Sequence, residues 1–316
     1  MSERIRVGIS ACLLGHEVRW NGGHSRDSYI TDTLGKYLEF VPVCPEVEAG
    51  FPIPRETLRL VGDPKAPRLV TTRTNVDHTE RMLTYAARRV QELETEDLCG
   101  FIFKSGSPSS GMERVKVFIT SERPVKQGVG LFARAFMERF PLLPVEEEGR
   151  LHDPKLRENF IEAIFALKRW RDLKAQASDR GAYVAFHTHH KLLLLSHNPQ
   201  LYREMGQLVA AIKEISLGDF CHQYETLFLK ALRTRTTIKK HVNVLHHVMG
   251  YFKKHLTPDE KQELLEVIEA FRAENVPLIV PITLLNHYVR KYQEPYLKTQ
   301  WYLNPHPLEL RLRNHA

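Results

Sequence analysis

The hydrophobic pattern of this 316-residue chain changes near residue 150, and that change is the strongest constraint on its fold. Before it, short apolar runs such as IRVGIS, FVPVC and LCGFIF alternate with segments of helical spacing such as SYITDTLGKYLEF. After it, amphipathic helical patterns follow one another almost without interruption. Alternating strands and helices indicate a parallel sheet with crossover helices, so we predict an α/β domain followed by an all-α domain.

The predicted domains are residues 1–150 and 179–316, with a linker or helix over 151–178. The clearest helix of the first domain is NVDHTERMLTYAARRVQELE, with one apolar face made of Met82, Tyr85, Ala86, Val90 and Leu93. No apolar run approaches the ~18–20 residues that span a bilayer, and the N-terminal residues lack a signal-peptide core. We therefore expect a cytoplasmic protein without a membrane partner.

Charge is divided unequally between the two parts of the chain. Residues 1–150 hold 21 Lys and Arg against 21 Asp and Glu, whereas residues 151–316 hold 24 against 17. The net charge of +7 therefore belongs to the second part, which also holds 13 of the 16 histidines. A neutral part followed by a basic part favours binding of a polyanion such as nucleic acid by the second, with plain surface basicity as the alternative.

Two of the four cysteines lie where a parallel sheet builds its binding crevice. Cys12 and Cys44 each follow a strand-like run and precede a turn, so we expect both at the carboxyl ends of strands. A third loop, KSGSPSSGMERVKVF, follows the third strand-like run. Either cysteine alone is typical of a small core residue, but the pair favours a functional site. Cys99 and Cys221 are predicted to be core residues.

Polar side chains accompany these cysteines. The stretch VRWNGGHSRD offers a cluster suited to a polar or anionic ligand, or to a solvated surface turn: Arg19, Asn21, His24 and Arg26. Glu46 lies two residues after Cys44 and is a candidate general acid or base beside a metal. Arg55 and Glu56 follow a proline-stiffened turn, where they either contact a ligand or form an ion pair that fixes the loop.

The motifs SACLLG, VRWNGGH, CPE, PRE, TRT and KSGSPSSGMERVKVF, in this order, resemble the thiouracil desulfidase family (TudS-like) over residues 5–150. In that family three cysteines, one in each of three such loops, hold a [4Fe–4S] cluster. The resemblance implies that Cys12 and Cys44 are ligands and that position 110 is the third, where this chain has Ser110. Iron–sulfur clusters are held chiefly by soft thiolates, so we expect the cluster to be weakly bound or absent. The close match of the surrounding residues favours a deliberate replacement over natural divergence.

The resemblance also implies a non-redox reaction. An open iron binds the thiocarbonyl sulfur of the substrate as a Lewis acid, and water replaces that sulfur by oxygen. In this scheme Glu46 transfers a proton or orients the water, and Ser107 forms a hydrogen bond to the pyrimidine edge or to the sulfur. Ser105 joins the substrate-binding candidates.

The second part concentrates cations in HTHHK and IKKHVNVLHHVMGYFKKHL, which predict a basic stripe suited to a phosphate backbone. Its predicted RNA-binding residues are His187, Lys191, Lys239, Lys240, His241, Asn243, His247, Lys253 and Lys254. The histidines lack paired cysteines or an HExxH pattern, so no zinc site is predicted. The segments FHTHHKLLLLSH, KKHVNVLHHVMGYFKK, PLIVPITLLNHYVRKY and YLNPHP resemble the YbgA-like domain over residues 180–310, which is thought to present thiolated RNA to a fused desulfidase.

The combined resemblance implies a desulfidase that converts 4-thiouridine in tRNA to uridine, with tRNA and a thiolated pyrimidine nucleoside as partners and no DNA. Two alternatives stay open. The chain either acts on free thiouracil or thionucleosides, or is a catalytically impaired nucleic-acid-binding protein in which Ser110 marks loss of the site.

Overall fold

The computed structural model describes residues 4–119, 123–177 and 179–315. The chain divides into two compact units between Asp153 and Pro154. The first unit contains strands and helices and the second is helical, so the predicted fold class is confirmed.

The strands of the first unit form two four-stranded sheets. In chain order they are β1 (Ile5–Ser10), β2 (Leu38–Val43), β3 (Leu58–Val61), β4 (Arg68–Thr71), β5 (Phe101–Phe103), β6 (Val115–Phe118), β7 (Pro124–Gly128) and β8 (Val145–Glu147). The first sheet has the order β2-β1-β5-β8 and is parallel throughout. The second has the order β4-β3-β6-β7, with antiparallel outer pairs around a parallel central pair.

The register of the first sheet brings three strand ends to one edge. Ser10 at the end of β1 pairs with Val43 at the end of β2, and Ile9 pairs with Ile102 near the end of β5. The strands pack closely, because a Cβ atom on Gly8 would lie 2.3 Å from the Phe101 ring. The chain therefore leaves all three strands on the same side, which is where a parallel sheet offers its binding crevice.

The helices of the first unit are α1 (Pro45–Glu48), α2 (Thr79–Glu94) and α3 (Leu131–Arg139). The buried face of α2 matches the predicted one: Met82, Tyr85, Ala86, Val90 and Leu93. Phe101 of β5 lies between Phe103 and Phe136 of α3, with ring centroids 4.3 and 4.6 Å away. The segment SYITDTLGKYLEF was expected to be helical, but only one π turn at Tyr29–Thr33 and one 3-10 turn at Leu34–Lys36 precede β2.

The second unit consists of eight α-helices within its described residues: α4 (Pro154–Gln176), α5 (Arg180–His197), α6 (Pro199–Ala210), α7 (Leu217–Arg233), α8 (Ile238–Tyr251), α9 (Pro258–Arg272), α10 (Ile279–Tyr292) and α11 (Pro295–Lys298). Side-chain caps begin α5 to α9, and Thr257 forms a full capping box with Glu260 at α9. Trp170 lies in the aromatic core and stacks on Tyr224 at 4.8 Å. None of the described helices combines the length and apolarity needed to cross a membrane.

Candidate active site at the edge of the parallel sheet

A cavity of about 290 Å³ opens at the edge where β1, β2 and β5 end. Cys12, Cys44 and Ser110 all line it. Cys12 lies in the 3-10 turn that follows β1, Cys44 lies between β2 and α1, and Ser110 lies in the loop after β5. The three positions that the family resemblance brings together therefore face one space.

The turns that carry the two cysteines have clear local causes. Gly15 ends the turn after Cys12 with φ of 97°, a left-handed conformation that favours glycine. Pro45 begins α1 directly after Cys44, where its missing N–H costs no helical hydrogen bond. The Cys44 amide donates to Oε1 of Glu48 at 2.7 Å. The backbone that carries each sulfur is thus fixed at the edge of the sheet where the strands end.

The loop of Ser110 is held against the start of α3. The carbonyl oxygen of Ser109 accepts hydrogen bonds from the amides of Phe132 and Ala133 at 3.0 and 3.2 Å, which satisfies the helix N-terminus. A Cβ atom on Gly130 would lie 2.5 Å from that carbonyl, so the contact requires glycine. The Ser107 hydroxyl accepts from the Ser110 amide at 3.1 Å. Position 110 is therefore fixed by backbone contacts rather than by its own side chain.

Glu46 is the centre of a hydrogen-bond network in the cavity wall. Its Oε1 accepts from the Ser109 hydroxyl at 2.8 Å, and that hydroxyl lies 3.0 Å from Oγ of Ser107. Its Oε2 accepts from Nε of Arg55 at 2.9 Å and from the same guanidinium at 2.5 Å. Arg55 also donates to the Val18 carbonyl at 2.9 Å, which ties the network to the turn after β1. Both carboxylate oxygens are held, so the orientation of Glu46 is fixed.

Sequence reasoning named Arg55 without its partner Glu46, and it missed Ser109. Arg55 was expected either to contact a ligand or to pair with Glu56, but Glu56 instead accepts from the amide and hydroxyl of Thr74. Ser109 was not singled out at all, although it lies between two candidates in the same loop. The available signal was the serine repeat itself, since several hydroxyls in one strand-end loop offer a hydrogen-bond chain.

A second polar cluster in the cavity lining surrounds Glu148. The Ser105 amide and hydroxyl donate to Glu148 at 2.7 and 2.8 Å, and the Lys104 ammonium pairs with the same carboxylate. Ser105 thus lines the cavity, but its hydroxyl already donates a hydrogen bond to Glu148. Lys104 brings a positive charge to the cavity that the sequence prediction did not include.

Burial sets the direction of the pKa shift of both thiols. It raises the pKa of the Cys12 thiol to about 11, although the Lys104 charge acts in the opposite direction. Burial also raises the pKa of Cys44, against hydrogen bonds from the backbone of Val47 and Glu46. Neutral thiols are therefore the resting state, and a bound cation would be needed to turn them into thiolates.

The predicted substrate-binding residues separate into two groups. Arg19 lines the cavity, as Ser105 does. Asn21, His24 and Arg26 do not line it and form local contacts instead. The Asn21 side chain accepts from the Gly23 amide at 3.1 Å, His24 accepts from the Arg26 amide at 3.2 Å, and Arg26 pairs with Asp32 at 2.5 Å. These three stabilise an exposed turn.

The donor set does not complete a three-cysteine cluster site. Two thiols and one hydroxyl line the cavity, and a serine hydroxyl is a hard, poorly acidic donor. Across residues 4–119, 123–177 and 179–315, no group of three or more His, Cys, Asp or Glu side chains could hold a metal ion. Cys99 does not supply the missing thiol, because it is fully buried before β5, where its amide donates to Arg6 near the start of β1. It is a core residue, as predicted.

An exposed basic surface of the second unit lies on α8 and the turn after it. Five of the nine predicted RNA-binding residues are exposed and define what we call the basic face: Lys239, Asn243, His247, Lys253 and Lys254. Lys191 is half-buried. Lys240 is also half-buried, and its ammonium donates to the carbonyls of His197 and Arg235 at 2.6 and 2.8 Å. Tyr251, 37% exposed, stacks on Tyr296 beside this face.

Two predicted RNA-binding histidines lie in the core instead. His187 is 2% exposed and its Nδ1 lies 3.1 Å from the Tyr224 hydroxyl, whereas His241 is 6% exposed and contacts the Tyr302 hydroxyl at 3.1 Å. Burial lowers the pKa of both rings, to about 4 and about 3. They are neutral packing residues, because the helix faces that carry them turn toward neighbouring helices.

Comparisons with known proteins agree with this division of the chain. A family model described as 2-thiouracil desulfurase matches residues 7–148, and one described as a protein of unknown function (DUF1722) matches residues 191–307. The chain is 34% identical over 152 residues to the uncharacterized protein YbgA of Escherichia coli (strain K12), covering 48% of this chain and 90% of YbgA. It is 31% identical over 108 residues to the uncharacterized protein YbbK of Bacillus subtilis (strain 168), covering 33% of this chain and 71% of YbbK.

A solved structure of the [4Fe-4S]-dependent thiouracil desulfidase TudS is 26% identical, with a TM-score of 0.41, and the match covers 48% of this chain and 95% of that one. The resemblances inferred from the sequence motifs, to the thiouracil desulfidase family and to YbgA-like domains, are confirmed by the family models and by YbgA. The first family supports a desulfidase enzyme.

Proposed function

Because this chain belongs to the 2-thiouracil desulfurase family in its first half and to the YbgA-like family in its second, we propose that it is built to remove sulfur from 4-thiouridine in tRNA, giving uridine. The reaction is non-redox: water supplies one oxygen to the carbon, and the sulfur leaves as sulfide with the two protons of that water. The observation that carries this proposal is the convergence of positions 12, 44 and 110 with Glu46 on one cavity.

The cofactor that the family implies requires one change in this chain. With a third thiolate at position 110, Cys12 and Cys44 would hold an iron–sulfur cluster, which supplies a Lewis acid for the sulfur. Within the described residues the Ser110 hydroxyl has no hydrogen-bond partner, so a thiol there breaks no existing contact. As the chain stands, with Ser110, the donor set does not fit the cluster.

The chain's own residues supply the rest of the chemistry. Glu46 is a fixed carboxylate whose charge is balanced by Arg55, and it lies in the wall of the space that admits the substrate. We assign to Glu46 the role of orienting and deprotonating the attacking water. Ser107 donates a hydrogen bond to the pyrimidine edge, and Ser109 holds Glu46 in position.

A restored thiol tests the proposal directly. Ser110→Cys is purified and reconstituted anaerobically with iron and sulfide, and it should gain the broad brown cluster absorbance and convert 4-thiouridine in tRNA. Nucleoside analysis after digestion measures the conversion. The matched control is Cys12→Ser with Ser110→Cys, which returns the site to two thiols and should lose both signals. A folded Ser110→Cys chain that takes up a cluster but leaves 4-thiouridine intact contradicts the proposal.

The basic face supports tRNA as the carrier of the substrate. Each lysine that contacts a phosphate releases a counterion. The logarithm of the binding constant therefore falls linearly with the logarithm of the salt concentration, with a slope of about −0.7 to −0.9 per contact. Lys253→Gln with Lys254→Gln should weaken tRNA binding and flatten that slope by about 1.5. The control is Lys261→Gln on the acidic helix α9, which should change neither quantity. Weak binding that does not depend on salt would instead favour a free thiolated base or nucleoside as substrate.

Ser110 favours a second candidate function. With two thiols only, the chain as it stands would bind thiolated RNA without converting it. Retained tRNA binding by this chain, together with no desulfuration after reconstitution, would support that binding role. The Ser110→Cys test of the desulfidase activity is separate from it.

A further inference from the structure

Trp20 is an exposed aromatic side chain at the edge of the cavity that none of the roles above explains. It lines the cavity, yet 45% of it is exposed, whereas Cys12, Ser109 and Ser110 in the same lining are 8%, 2% and 4% exposed. Trp20 therefore lies at the rim and the other three lie inside. A single exposed apolar side chain is ordinary in a folded protein, so it is the position of Trp20 at the rim of a polar cavity that suggests a ligand contact.

The backbone of Trp20 is held firmly. It lies in a turn in which the Gly22 amide donates to the Arg19 carbonyl at 2.9 Å and the Arg19 amide donates to Gly23 at 3.1 Å. The Arg55 amide donates to the Trp20 carbonyl itself at 2.8 Å, and the Arg55 side chain holds Glu46. The indole is thus attached to the same network that fixes the catalytic carboxylate.

The indole of Trp20 also differs from the other two tryptophans. Trp170 is fully buried in an aromatic cluster, and the ring of Trp301 is covered by the Arg169 guanidinium at 4.1 Å. In the part of the chain that the structure describes, no ring or cation contact covers the Trp20 indole. The exposed part of the indole is available to a ligand.

The size of the cavity indicates which part of a substrate meets this face. Pockets for drug-sized ligands occupy about 300–1,000 Å³, so about 290 Å³ holds one small heterocycle and not a run of nucleotides. If the thiolated base occupies the interior beside Glu46, the rest of an RNA chain must continue past the rim. Stacking on aromatic side chains is how proteins hold unpaired bases, and it tolerates any sequence.

We propose that Trp20 is the stacking platform for the unpaired nucleobase that flanks the thiolated one. The proposal rests on the proposed function and deepens it: the substrate is a thiolated nucleotide within a single-stranded stretch, rather than a free base. Trp20 then acts on affinity and positioning, without touching the reacting carbon.

The test measures binding rather than turnover, so it needs neither the cluster nor Ser110→Cys. The probes are the trinucleotide uridine–4-thiouridine–uridine and the free 4-thiouridine nucleoside, with affinity measured by calorimetry. The trinucleotide carries a base on each side of the thiolated one, whereas the nucleoside carries none. Trp20→Ala should weaken trinucleotide binding about 5- to 150-fold, the range of one stacked base, and should leave nucleoside binding within about twofold.

Two further variants separate stacking from a structural effect. Trp20→Tyr keeps an aromatic face and should retain most of the trinucleotide affinity. Leu83→Ala removes another exposed apolar side chain of the same unit, on α2, and should change nothing.

Equal trinucleotide affinity of Trp20→Ala and the parent chain would overturn the proposal. Parallel loss of nucleoside affinity would overturn it as well, because Trp20 would then contact the reacting base. Failure of the proposed function is distinguishable: a Ser110→Cys chain that does not desulfurate tRNA leaves the binding difference between trinucleotide and nucleoside unchanged.

Discussion

Each unit contains a buried carboxylate–arginine pair, but the two pairs have different surroundings. In the first unit Glu46 and Arg55 are 14% and 5% exposed and line a cavity together with free thiols and hydroxyls. In the second unit Glu162 and Arg313 are 2% and 3% exposed and lie among helices. The first pair lines a cavity of about 290 Å³ with room for a ligand, whereas the cavity that Arg313 lines measures only about 10 Å³.

The second pair is part of a larger buried cluster of hydrogen-bonded side chains. Arg313 donates to Glu158 at 3.1 Å and to Glu162 at 2.8 Å, and Glu162 accepts from Nε2 of His197 at 2.9 Å. Nδ1 of His197 faces the Thr234 carbonyl at 2.8 Å. The His197 ring is therefore held between the Glu162 carboxylate and the Thr234 carbonyl. All of these groups hold one another in place, which is typical of a structural cluster.

The pKa directions fit this contrast. Burial acts to raise the pKa of Glu162, but the His197 hydrogen bond and the Arg313 charge overcome it and hold that pKa well below its usual range. Burial raises the pKa of Glu158 to about 7, although the Arg313 charge lowers it. The lesson is that burial of a charged pair alone does not indicate catalysis. A catalytic pair also needs neighbouring space and unoccupied donors.

The largest effect that separates the two pairs is expected for Arg313→Met. Removing the guanidinium leaves Glu162 buried with one cation fewer, which should cost about 3–5 kcal/mol of the free energy of unfolding. Urea unfolding followed by far-UV circular dichroism measures it, with the fluorescence of buried Trp170 as a second probe of this unit. Arg272→Met removes a partner of Glu269 from an exposed pair and should cost less than about 1 kcal/mol. Equal costs for the two variants would contradict the structural role.

The next effect is a pH dependence set by buried neutral histidines. The pKa of His187 is lowered from 6.5 to about 4 by burial and by the Lys191 charge, so the unfolded chain binds a proton there before the folded chain does. The stability that this ring contributes is present above about pH 6.5 and lost as pH falls toward 4. The loss should be on the order of 2–3 kcal/mol by pH 4.

The difference between the parent chain and His187→Gln isolates this contribution, because other groups that titrate in the same range cancel. Glu158 is one of them and acts in the opposite direction, since its raised pKa adds stability as pH falls. Urea midpoints at pH 7 and pH 4.5 should show the parent chain losing stability relative to His187→Gln. A constant difference between the two pH values would show that the ring is not held neutral.

Much of the first unit could be predicted from the sequence because its signals are local. The runs at β1, β2 and β5 and the face of α2 follow from apolar spacing, and the two cysteines follow from their place after strands. The second sheet was missed: its strands are four or five residues long, as at Leu58–Val61, and are defined by pairing with distant strands. Strand pairing depends on tertiary context that one sequence does not reveal.

The errors in the candidate sites have the same cause. The bond between Ser109 and Glu46 joins residues 63 positions apart, and it depends on how two loops meet at the sheet edge. His187 and His241 were taken as surface cations because they lie in basic segments. The neighbouring helices decide which face of a helix is buried. Histidine occurs on buried and on exposed faces, so its presence does not tell the two apart.

A smaller effect is expected at the first pair. Arg55→Met removes two hydrogen bonds to Glu46 and one to the Val18 carbonyl, but the cavity lets water replace part of them. We expect a loss of about 1–2 kcal/mol of stability, well below that of Arg313→Met. In the Ser110→Cys background kcat should fall by at least tenfold, because Glu46 is no longer held in one orientation. Arg26→Met, which breaks an exposed pair with Asp32, is the control for both measurements.

A stability cost of Arg55→Met as large as that of Arg313→Met would remove the contrast between the two pairs. An unchanged kcat would show that the orientation of Glu46 does not matter to the reaction. Arg55→Lys refines the result, since an ammonium restores the charge but not the paired donors, and it should recover stability more than turnover.

The smallest effect is expected for Ser109→Ala. This change removes one neutral donor to Glu46 and leaves Arg55 in place, so stability should fall by only about 0.5–1 kcal/mol. In the Ser110→Cys background, the fall in kcat should correspond to more than this loss of stability. Without the Ser109 hydroxyl, Oε1 of Glu46 is no longer held and can rotate away from the water that it orients. Ser105→Ala is the matched control: it removes a hydroxyl of the same loop that contacts Glu148, not Glu46. If both alanine variants lower kcat equally, the loop acts as a whole, and Ser109 has no separate part in holding the carboxylate.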